Sequence, residues 1–198
     1  MKIEEKKIDE ERLAVINYKG NVEDMGILLG KLMAWAEVSK IQVTGAPFAI
    51  YYTSPQNTAP DEMVYDMGIP VSKDTELNDE GEIRVVELLE HTVLSTLHKG
   101  SYKDLANSYK EMVDYSIENK YDIIGSPKEI YFNSPHEVPE EELLTEIQFP
   151  VIKMWTLFLF FNLMRLFLYF LILHPIVIVE SSMKRFNVLF NSYKNKIA

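Results

Sequence analysis

The sequence predicts an α+β fold: two pseudo-symmetric βαββ units forming an antiparallel sheet, with both helices on one face, a central ligand groove and a hydrophobic C-terminal helical extension. Three observations carry this expectation. The stretch GAPFAIYY at residues 45–52 returns as GSPKEIYF at 125–132, a shift of eighty. Sliding residues 13–71 over 93–151 at that shift, without a gap, superposes thirteen identities in fifty-nine positions, among them Lys19-Gly20 on Lys99-Gly100 and Pro70-Val71 on Pro150-Val151. After Val151 the repeat stops and the composition becomes strongly apolar. The chain therefore divides into a repeat domain over residues 1–153, with units at about 1–75 and 82–153, and a tail over 154–198.

Within a unit, RLAVINYKG and HTVLSTLHKG are short, partly β-branched and closed by Gly, which fits a strand running into a turn. Asn21 and Ser101 then offer side-chain oxygens to the free N–H groups of a first helical turn, and Asp24 and Asp104 place negative charge near its positive end. The helices follow, with Tyr102, Leu105, Tyr109, Met112 and Tyr115 at helical spacing in the second unit and Met25, Leu28, Leu29, Leu32 and Trp35 in the first. Such aromatic stripes are more often core than ligand box. Gly45-Ala-Pro and Gly125-Ser-Pro break the chain before PFAIYY and PKEIYF, which have strand composition, and a Ser-Pro loop leads to a last strand in EMVYDMGIPV and ELLTEIQFPV. A lone βαββ unit cannot bury its apolar face, so two must pack together, and clefts between paired repeats are where small molecules are held.

Composition removes several function classes. The 198-residue chain has no Cys, which excludes disulfides, thiolate zinc sites and thiol nucleophiles. Its net charge of −10 is uneven: residues 154–198 hold five basic and one acidic residue, leaving −14 on the repeat domain, which should repel nucleic acid. No two of His91, His98, His136 and His174 sit at i and i+4, and no phosphate-cradling loop or nucleophile elbow occurs, so neither a metal nor a cofactor is expected. The charged start MKIEEKKIDEERL does not resemble a signal peptide, which suits a cytoplasmic protein.

The informative departure from the repeat is Glu129, where the first unit has Ala49. Side chains alternate along a strand, so Glu129 and Tyr131 share a face, and in the last strand Glu146 and Gln148 lie opposite Thr145, Ile147 and Phe149. A carboxylate between apolar neighbours must be paired or must have its pKa raised. It reads either as a solvent-facing or Lys-paired structural acid or as a ligand-facing group; Glu146 reads the same way, with Asp66 as its counterpart. As ligand groups, Glu129 and Glu146 would hold a cation against the faces of Tyr131, Tyr51 or Trp35, joined by Tyr109 and Tyr115 from the helix stripe.

These residues resemble a known family. The doubled unit, Lys-Gly followed by Asp, the Gly-x-Pro-x-Glu-Ile-Tyr strand and the Thr-Glu-Ile-Gln-x-Pro-Val strand are similar to the GyrI-like small-molecule-binding domain, also called the AraC/BmrR-type effector-binding domain. The resemblance covers about residues 1–153 and implies two SHS2-type repeats around a groove for hydrophobic, often cationic or planar molecules, as in multidrug binding. It implies that the acid at Glu129 faces the bound cation, that Glu146 matches the acid of the last strand, and that some relatives hydrolyse cyclopropane-bearing compounds with an acid and aromatics in this groove. No helix-turn-helix segment precedes the repeat in this sequence, so the expectation is a stand-alone binder in sensing, sequestration or detoxification, monomeric or weakly dimeric. Two rivals stand beside it. One is a hydrolase of strained electrophiles, with Glu146 as a catalytic acid; the other is an inhibitor of a protein partner such as DNA gyrase.

The tail reads MWTLFLFFNLMRLFLYFLILHPIVIV, long enough to span a bilayer. A membrane contact through residues 155–179, a fused or frame-shifted extension, and a soluble helix covering the sheet are the three readings.

Overall fold

A computed structural model describes residues 1–154; the apolar segment read as an anchor, an extension or a covering helix lies outside the described residues. Among the described residues no helix is long and apolar enough to cross a membrane. Each unit carries one further strand ahead of the expected βαββ pattern. The first comprises β1 (Ile3–Ile8), β2 (Glu11–Lys19), α1 (Met25–Val38), β3 (Phe48–Tyr51) and β4 (Val64–Val71). The second comprises β5 (Arg84–Leu88), β6 (His91–Lys99), α2 (Leu105–Glu118), β7 (Tyr121–Ile123), β8 (Lys128–Tyr131) and β9 (Leu144–Lys153). Asn21 and Ser101 do cap, each accepting from a backbone N–H two residues on, in the 3-10 turns that lead into α1 and α2. Lys40 and Lys120, eighty residues apart, take the left-handed conformation just past the helix ends, with φ of 58° and 61°.

The extra strands are exchanged between units. β1 pairs with β6 of the second unit, from Ile3 opposite Thr96 to Ile8 opposite His91, and β5 pairs with β2 of the first. The antiparallel order is β1-β6-β9-β8-β3-β4-β2-β5, with β7 beside β9. In a flat sheet β1 and β2 would lie six strand spacings apart, roughly 29 Å. Only Asp9 and Glu10 connect them, a link that reaches about 11 Å when extended. The sheet must therefore roll until its ends approach.

Rolling explains how both faces of the sheet are buried. On the helix side, Ala14, Ile16, Met67 and Ile69 pack with Leu28, Leu32 and Ala36 of α1, while Leu94, Ile147, Phe149 and Val151 pack with Met112 of α2. These two clusters stay separate. The other face, which the sequence left open, is the inside of the roll, where Leu13, Val15 and Phe48 are buried against Val86, Leu88 and Ile130. There Lys128 of β8 reaches Glu11 of β2 at 2.9 Å across two intervening strands, with its Nζ 4.5 Å from the Phe48 ring centroid.

The units meet where β3 pairs with β8, with Ala49 directly opposite Glu129. These two positions are also equivalents under the shift of eighty, so the pseudo-twofold axis passes between them.

Inside the roll, Phe48 lies on Gly68, where an added Cβ would stand 2.3 Å from the ring. Gly68→Ala is expected to destabilise the domain by about 1–3 kcal/mol through overpacking, and Phe48→Leu in the same chain should recover part of that loss. Urea unfolding checks this; a midpoint equal to wild type for Gly68→Ala would show that the ring is not held there.

Candidate functional site

Among the described residues, α1 packs on β2 and β4 and α2 on β6 and β7, which leaves the middle strands β3 and β8 between the two helices. The result is a groove of about 1680 Å³, with walls from the N-terminal halves of α1 and α2 and a floor from β3 and β8. This is larger than the ~300–1,000 Å³ of most ligand clefts. Its lining follows the repeat: Met25 and Leu105, Leu29 and Tyr109, and Tyr52 and Phe132 line it as equivalents under the shift of eighty.

The floor is built by strand alternation and register. Glu129 stands beside Ala49 and Ile147 on the helix side, and Tyr51 and Tyr131 follow two residues on along the same face. Tyr109 of α2 donates to one Glu129 carboxyl oxygen at 2.6 Å and Tyr131 donates to the other at 2.9 Å. The Tyr51 hydroxyl lies 2.9 Å from that of Tyr131, whose proton is committed to Glu129, so Tyr51 donates to Tyr131. Two phenol protons thus reach the carboxylate directly, and the third, from Tyr51, supports it through Tyr131. Met25 Sδ sits 4.0 Å from both Tyr51 and Tyr131 hydroxyls, and the Tyr102 ring meets Tyr131 edge-on at 5.9 Å.

Glu129 is 5% exposed, and among the described residues no Lys or Arg forms an ion pair with it. Burial raises its pKa and outweighs the tyrosine hydrogen bonds that favour the charged form. Burial and the Glu129 charge also push Tyr51, Tyr109 and Tyr131 well above the ordinary phenol range, so each keeps its proton as a donor.

Four expected site residues line this groove: Glu129, Tyr131, Tyr51 and Tyr109. Three do not. Glu146 points into the roll, since its register partners Ile130 and Leu97 mark the face opposite Glu129. There it accepts from Ser95 at 2.6 Å, Gln148 at 2.9 Å and Lys6 at 3.1 Å. Burial works to raise its pKa, but those hydrogen bonds hold it below the usual carboxylate value, so it is a paired structural acid. Its counterpart Asp66 accepts hydrogen bonds from Asn17 at 2.7 Å and Tyr52 at 2.6 Å. Trp35 packs into the first-unit cluster and Tyr115 into the second, because helical spacing turns them away from the groove mouth. Reasoning from the sequence passed over Met25, Tyr102, Tyr52 and Phe132 as lining residues. His136 and Glu137, in the loop between β8 and β9, also border the groove. Among the described residues no three acidic or His side chains gather as a metal centre would require.

Rolled sheet, paired helices and an acid-floored aromatic groove define a small-molecule-binding domain built from two exchanged repeats. The GyrI-like small molecule binding domain family matches residues 1–152, and the chain belongs to that family. Among solved structures it is similar to the C-terminal domain of EcmrR (25% identity, TM-score 0.66, covering 77% of this chain and 98% of that one). Against EcmrR in its DNA complex the identity is 22% and the TM-score 0.67, covering 77% of this chain and 57% of EcmrR. It is also similar in fold to a hydrolase from Listeria innocua (12%, TM-score 0.61, 76% and 92%) and to SAV2435 bound to tetraphenylphosphonium (12%, TM-score 0.51, 78% and 96%). No curated protein matches the sequence.

With its raised pKa, Glu129 takes up a proton as pH falls and so loses the cost of a buried charge; wild-type stability should fall as pH rises through that pKa. Ligand-free Glu129→Gln is therefore expected to gain in melting temperature relative to wild type as pH rises through the Glu129 pKa and to lose that gain as pH falls below it. Melting curves on both sides of that pKa check it. A gap that does not move with pH would show that the carboxyl is not carrying a desolvation cost.

Proposed function

We propose that the groove binds a hydrophobic, cationic small molecule, with Glu129 as counter-ion and Tyr51, Tyr109 and Tyr131 as aromatic walls. The observation that carries this reading is a buried carboxylate on an aromatic floor whose hydrogen bonds come from tyrosines and not from a basic side chain. An isolated buried charge is costly, and a lipophilic cation relieves that cost while its apolar groups leave water. Tyrosine faces add cation–π attraction. Charge alone would favour any cation; the largely apolar lining, with Met25, Leu29, Leu105 and Phe149, excludes strongly hydrated ones. SAV2435, of the same fold, binds such a cation.

A second reading is favoured by the raised pKa of Glu129. A carboxyl shifted upward and gripped by two phenols can act as a general acid or base toward a strained electrophile in the groove. The acid in that role is Glu129 and not Glu146, which faces the other side of the sheet. Depletion of a cyclopropane-bearing compound in molar excess over protein separates turnover from stoichiometric uptake.

Titration calorimetry with tetraphenylphosphonium tests the binding reading. Wild type is expected to bind, Glu129→Gln to bind at least about tenfold more weakly, a loss of about 1.4 kcal/mol. Since the cation prefers the ionised acid, wild-type affinity should fall as the solution is acidified through the Glu129 pKa, and the variant should show a flat profile. Equal affinities in the two proteins would sink the assignment of Glu129.

A further inference from the structure

Resting on that binding reading, we infer that the groove selects cations by where the charge sits in the molecule: it favours a single positive charge at the middle, with apolar arms extending to both sides. The inference comes from the position of the acid relative to the repeat. Ala49 and Glu129 are equivalents under the shift of eighty and direct cross-strand partners, so the carboxylate stands within one side chain of the pseudo-twofold axis. The hydroxyls of Tyr51 and Tyr131, another equivalent pair, meet at 2.9 Å beside it. The walls are doubled about the same axis, as Met25 with Leu105, Leu29 with Tyr109 and Tyr52 with Phe132. Shape is thus repeated on either side while charge is not.

A ligand whose charge is central can seat it on Glu129 and place an apolar arm in each half of the groove. A ligand whose charge is terminal can fill only one half, leaving the other to water or leaving part of its chain exposed. The other acids that line the groove, Glu23 and Glu137, are exposed to water, so Glu129 is the buried anionic group among the described lining residues.

Dihexyldimethylammonium and undecyltrimethylammonium are isomers with the same charge and carbon count that differ in where the nitrogen sits. By titration calorimetry with wild-type protein, the centre-charged isomer is expected to bind at least tenfold more tightly. In Glu129→Gln the two should fall to within about twofold of each other. Equal affinities in wild type, tighter binding of the end-charged isomer, or a preference that survives in Glu129→Gln would each overturn the inference. In all three cases the binding reading would still stand if tetraphenylphosphonium binds wild type and is weakened by Glu129→Gln. If neither isomer nor tetraphenylphosphonium binds wild type, the binding reading fails and this inference fails with it.

Discussion

The structure turns on one cross-strand pair. Where two repeats meet about a pseudo-twofold axis, the position on the axis faces its own equivalent, and equivalents on the same strand face close to it can reach one another. For Tyr51 and Tyr131 this works, because a phenol both donates and accepts, and the two hydroxyls bond at 2.9 Å. For a carboxylate it does not. Opposed side chains stand roughly 4.5–5.5 Å apart at Cβ, and two acids there would be forced to share a proton or repel in a poorly hydrated space. Ala49 opposite Glu129 is the arrangement that admits one acid, and the smallest apolar side chain leaves room for it.

The rest of the domain holds that acid in place. The exchanged strands β1 and β5 tie each unit to the edge of the other, and their two-residue links force the sheet to roll. The roll gives one sheet face its own interior, so the helices need cover only the other, and they do so at its two ends. Among the described residues, the middle left between them is the groove. Tyrosine protons donated to Glu129 by Tyr109 and Tyr131 partly compensate the lost water, yet burial still wins, and a charge held in that balance is set to attract an opposite one.

Much of this was legible in the chain. The shift of eighty defined the repeat, helix caps at Asn21 and Ser101 were readable from residue type, and alternation placed Glu129 with Tyr131 on one face. Alternation also separated Glu146 from Ile147, but it did not say which face of β9 matched which face of β8. The ladder decided that: Glu129 lies opposite Ile147, so Glu146 faces into the roll beside Ser95 and Lys6. Trp35 and Tyr115 illustrate the same limit on helices, where spacing defines a stripe but not whether its members reach the core or the groove.

What the sequence determined by itself is local and periodic: strand phase, helix ends, the repeat, and the strand acid Glu129 that stands where the first copy has Ala49. Those follow from rotation per residue and from the chemistry of adjacent side chains, which any stretch of chain carries with it. Only the tertiary structure decided the exchange of β1 and β5, the rolling of the sheet, and the meeting of Glu129 with Ala49, Tyr51 and Tyr109. These depend on hydrogen bonds and packing between segments tens of residues apart, and a one-dimensional pattern does not specify which distant edges pair.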